Sequence, residues 1–72
     1  MEPLFTADII VNGQNEYFDV RFHDEAYHFE SEAGRNFSIR RTDDTWVVNG
    51  ALAEIAQQQA ISALDHYLLS QH

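Results

Sequence analysis

The stretch FTADIIVNGQNEYFDVRF, residues 5–22, decides how this chain folds. Phe5, Ala7, Ile9 and Val11 alternate with Thr6 and Asp8, and Phe18, Val20 and Phe22 alternate with Asp19 and Arg21. A period of two marks strands with one buried face. Between the runs lies Asn12-Gly13, the pair that best tolerates the positive φ angles of a two-residue type I′ turn. Such a loop sets Val11 opposite Gln14, Ala7 opposite Phe18 and Phe5 opposite Val20. Apolar residues then share one face across both strands, as register on a half-buried sheet requires. Turn chemistry and hydrophobic pattern point independently to the same hairpin.

The alternation continues outward from it. After the polar break Asp24-Glu25-Ala26, Tyr27 and Phe29 alternate with His28 and Glu30. Ala33-Gly34-Arg35-Asn36 gives a second turn signal, and Phe37 and Ile39 alternate with Ser38 and Arg40. Asp43-Asp44 then precedes the β-rich run Thr45-Trp46-Val47-Val48. A two-residue loop at Asp43-Asp44 would place Ile39 opposite Val48 and Arg41 opposite Trp46, a guanidinium beside an indole. Asn49-Gly50 ends the strands, with Asn49 in position to cap a helix. From about 51 to 69 the period becomes 3.6. Leu52, Ile55, Ala56, Ala60, Ala63, Leu64, Tyr67 and Leu68 share one face, and Glu54, Gln58, Ser62, Asp65 and His66 share the other. Gln57 falls at the margin. His66 and His72 stand near the helix C-terminus, where the macrodipole favours protonated imidazole.

The predicted fold is α+β: an antiparallel β-meander of four to five strands packed in two layers against one C-terminal α-helix, a single small domain over residues 1–72. The expected core is Phe5, Ile9, Phe18, Val20, Phe22, Phe29, Phe37, Ile39, Trp46, Leu52, Ile55, Leu64 and Leu68. With 72 residues, the size scaling allows one thin core and an accessible surface of about 4,600 Å².

Charge and composition narrow the function. Twelve acidic side chains against four arginines give a net charge of −8. Nucleic-acid binding requires cations that displace phosphate counterions, so a direct nucleic-acid partner is not expected. Anionic membrane surfaces are disfavoured for the same reason. No apolar run approaches the ~20 residues of a membrane span. An acid near the amino terminus stands where a signal peptide carries positive charge, so a cytoplasmic protein is expected. Absence of cysteine excludes disulfides and thiolate metal sites.

No motif fixes a biochemical activity. There is no Gly-x-Ser-x-Gly elbow, and the glycines are isolated turn residues. Ser31 or Ser38 could join His28 and an acid, but four histidines among twelve carboxylates make such combinations common by chance. A non-enzymatic protein without cofactor is expected. The candidate metal ligands are His23, His28 and Glu30. A four-residue loop at 24–27 would set His23 opposite His28, close enough to share an ion such as zinc. A two-residue loop at 24–25 would instead set His28 opposite Arg21 and separate the histidines.

For protein binding, the candidates are Ile10, Tyr17, Arg21, Arg40 and Val47 on the outer sheet face, where aromatic and arginine anchors resemble interface hot spots. The first strand, with Asp8 its only internal charge, is an edge open to self-association or capture of an extended segment. The leading expectation is a small acidic protein–protein interaction module with a protein partner, a homodimer among the forms considered. The alternatives are a His/carboxylate metal-binding protein and an acidic mimic that binds a basic protein surface.

Overall fold

A computed structural model describes residues 2–71; Met1 and His72 lie outside the described residues, so the expectation for His72 has no structural counterpart. Strands Phe5–Val11 (β1) and Gln14–His23 (β2) form the first hairpin. Its register is the expected one, with Val11 opposite Gln14, Ala7 opposite Phe18 and Phe5 opposite Val20. Asn12 and Gly13 both take positive φ, at 52° and 80°. Ala26–Ser31 (β3), Asn36–Thr42 (β4) and Thr45–Asn49 (β5) complete a five-stranded antiparallel meander in chain order. In the last hairpin Ile39 lies opposite Val48 and Arg41 opposite Trp46, and the Arg41 guanidinium sits 4.9 Å from the indole centroid. The fold is α+β, the sheet curls into a half-barrel, and a C-terminal helix, Glu54–Ser70 (α1), packs on β1.

Phe18, Phe29, Ile9, Ile39, Leu64 and Val20 are fully enclosed. Phe29 stacks on Phe37 at 4.6 Å, and Phe18 meets both rings edge-on. The helix contributes Ala56, Ala60 and Leu64 to this core. Two alanines in the contact let its axis approach β1 closely, and its far end is fixed by Tyr67 stacked on Phe5 at 4.5 Å. The helix therefore runs antiparallel to β1 instead of crossing the whole meander.

The short connection suits the curl. From Asn49 to Glu54 the chain reaches at most about 18 Å, whereas four strand spacings in a flat sheet total about 19 Å. Bending the sheet brings the foot of β5 within reach of β1. Gly50, at φ 141°, makes the departure over Phe37, where an added Cβ would lie 2.8 Å from the Phe37 Cβ.

This route corrects three expectations. Asn49 does not cap the helix: it remains in β5 opposite Ser38, and Ala53 takes the N-cap without a side-chain hydrogen bond. The Gln57 side-chain amide donates to the Leu52 carbonyl at 2.7 Å, tying the connection to the first helical turn without capping its N–H groups. Ile55 is 69% exposed, because it precedes Ala56 by about 100° around the helix and turns away from the Ala56/Ala60/Leu64 stripe. Phe22 is 52% exposed although it shares the inner face of β2: it lies beyond the end of β1, where Phe5 faces Val20, in a cleft that Leu68 of the helix only borders. The accessible surface of 5152 Å² exceeds the size expectation, as an open sheet should. His66 precedes the last helical turn, which contains no basic residue among those described. No helix among the described residues is long and apolar enough to cross a membrane.

Candidate functional site

Strand alternation places Ile10, Tyr17, Arg21, His23, His28, Glu30, Arg40 and Val47 on the outer face, opposite the core. One row across it holds Arg21 opposite His28, His28 opposite Ser38 and Ser38 opposite Asn49. The next holds His23 opposite Ala26 and Arg40 opposite Val47. Ile10 and Tyr17 lie in a separate corner, facing Asn15 and Asp8. The structure thus gathers Arg21, Arg40 and Val47 around the histidines and leaves Ile10 and Tyr17 apart.

The turn at 24–25 has two residues, with Asp24 at φ 52° and Glu25 at φ 62°. His28 accordingly faces Arg21, yet the histidines do not separate. Their rings stack at 3.9 Å and 9° across the diagonal of the twisted hairpin. The contact fixes both rings: His23 Nδ1 lies 3.2 Å from Asp24 Oδ2, and His28 Nε2 lies 3.2 Å from the His23 carbonyl. Imidazole lone pairs lie in the ring plane, so parallel stacked rings do not converge on one ion. Glu30 lines the same groove of about 410 Å³. Among the described residues no three His, Asp or Glu side chains form a potential metal-ligand group.

The sheet margins hold the sharper contrast. In β1, the Ile10 amide points away from β2 and donates to Gln59 Oε1 of the helix at 2.9 Å. The edge that the sequence marks as open therefore has the helix beside it. In β5, Thr42 and Thr45 flank the two-residue loop. Antiparallel alternation then turns the backbone N–H and C=O of Thr45, Val47 and Asn49 toward β4, and those of Trp46 and Val48 outward. Among the described residues no strand follows β5 in the sheet. Its five residues, Thr45-Trp46-Val47-Val48-Asn49, carry no charge and no proline, the usual protections of an exposed edge.

This margin adjoins the open end of the half-barrel. Trp46 meets Tyr27 edge-on at 6.2 Å, and Tyr27 tilts against Phe22 at 4.7 Å. With Arg41 and Leu68 these rings line a cleft of about 460 Å³. Trp46 and the β5 edge are absent from the residues selected by sequence. Their signal was the uncharged last strand, visible once the helix is known to lie on β1. No family model matches this chain, and no curated protein or solved structure matches it.

Proposed function

We propose that this chain is a small non-enzymatic protein–protein interaction module that binds an extended protein segment along the free edge of β5. The observation that carries this reading is the pair of outward backbone positions, Trp46 and Val48, in an uncharged terminal strand. An added strand gains main-chain hydrogen bonds there, and its alternate side chains enter the cleft of Phe22, Tyr27, Trp46 and Leu68. Trp, Tyr and Arg are the side chains that most often anchor interfaces. The acidic-mimic reading needs carboxylates arrayed on one face. Glu16, Asp19, Glu30 and Glu32 line one groove, with Glu16 paired to Arg35, but the rest are spread over Glu2, Asp8, the turns at Asp24-Glu25 and Asp43-Asp44, and the helix at Glu54 and Asp65, which favours the edge over the mimic.

Capture from cell extract on wild-type, Val47→Lys and Tyr17→Lys proteins tests the proposal. Both positions are exposed and on the outer face, and both variants change the charge equally. Protein retained by wild type and Tyr17→Lys but lost on Val47→Lys is the expected result. Equal loss on both would indicate a diffuse acidic surface, and retention by both would contradict the edge reading.

A further inference from the structure

We infer that the segment seated on β5 is β5 of a second copy, paired antiparallel about a twofold axis through Val47. This inference rests on the edge-binding reading above and names its partner. An antiparallel edge is self-complementary under a twofold rotation, the commonest symmetry of soluble oligomers. With Trp46 and Val48 the outward-facing positions, one register uses all their backbone groups: Trp46 opposite the second copy's Val48, and Val48 opposite its Trp46. Val47 then meets its own equivalent. Val47 is 47% exposed on the outer face, so the pairing covers an apolar side chain that the monomer leaves in water.

Charge placement supports the same register. Each copy carries −8, so a contact between two copies must keep acids apart. Pairing about Val47 brings Thr45 beside Asn49 and sets Asp43-Asp44 against the uncharged Gly50-Ala51 of the other copy. The two acidic turns end up on opposite sides of the axis. Both inner faces lie on the same side of the joined sheet, which turns the two aromatic clefts toward each other. Residual repulsion between two acidic copies is screened by salt, so association should tighten as ionic strength rises.

The absence of native cysteine makes the register directly readable. Opposed residues that do not exchange backbone hydrogen bonds have Cα atoms about 4.5 Å apart, within disulfide range. Asn49 and its equivalent would lie roughly 14 Å apart, beyond it. The experiment combines sedimentation of the full chain over a concentration series with mild oxidation of Val47→Cys and Asn49→Cys proteins. The expected result is a reversible dimer whose Kd rises at least about tenfold in Val47→Lys, with Val47→Cys cross-linking at least about tenfold faster than Asn49→Cys. A monomer at every concentration that still loses its captured protein on Val47→Lys would overturn the second copy while leaving the edge reading intact. A dimer indifferent to Val47→Lys, or one cross-linked equally at both positions, would place the contact elsewhere and overturn the inference. A monomer whose capture is also indifferent to Val47→Lys would remove both.

Discussion

β1 and β5 each have one side without a neighbouring strand, yet the helix lies along β1 while β5 turns Trp46 and Val48 outward. β1 holds Asp8 as a charge of its own and receives Gln59 on the Ile10 amide. β5 carries no charge, and of the helix it is Leu68 that lines a cleft with its Trp46. Edge strands are normally blunted by charge, proline, a bulge or a cover. Two margins protected so unequally by charge and side-chain hydrogen bonding give the sheet an asymmetry that the proposed binding would use.

The largest effect should come from removing the helix's anchor. Leu64 is fully enclosed, and Leu64→Ala should lower stability by about 2–5 kcal/mol, measured by urea denaturation. Hydrogen exchange should accelerate at Ile10 far more than at Trp46, because the cover on β1 is what loosens. Gly50→Ala comes next, at about 1–3 kcal/mol, since φ 141° and the Phe37 Cβ both oppose a side chain there. That substitution strains the path joining the bare margin to the covered one. Gln59→Ala removes a single partner and should lower stability by about 0.5–1.5 kcal/mol, with faster exchange confined to the Ile10 amide. Glu25→Gly has the opposite sign. Relieving a left-handed glutamate in a type I′ turn should raise stability by up to about 1 kcal/mol, with neither margin changed in exchange.

Much of this architecture was legible in the chain. Asn12-Gly13 fixed the first register because turn geometry and burial demand the same pairing, and Asp43-Asp44 placed Arg41 against Trp46 as counted. The Ala56/Ala60/Leu64 stripe was also readable, as was the solvated face from Glu54 to His66. What escaped was the curl. Period-two alternation assigns Phe22 to a buried face, but it cannot tell how far along the sheet the helix extends. Ile55 escaped for a related reason: a stripe drawn broadly enough to include it exceeds the width of helix that β1 covers. The diagonal stack of His23 on His28 depends on hairpin twist, which pairing arithmetic on a flat ladder omits. The candidate site was legible in pieces only. Val47 and Arg40 were named, and Trp46 was placed against the core, where its ring packs; which margin the helix lies along was not readable, because that depends on the curl of the sheet.

Residue-resolved amide exchange by NMR, followed from dilute to concentrated protein, tests the contrast between the margins most directly. In dilute solution the Ile10 amide should exchange slowly and the Trp46 and Val48 amides quickly. Raising the concentration should slow Trp46 and Val48 together and leave Ile10 unchanged. Trp46 and Val48 amides as protected as Ile10 at the lowest concentration would mean that β5 is already covered within one chain, and the account of a bare binding edge would be wrong.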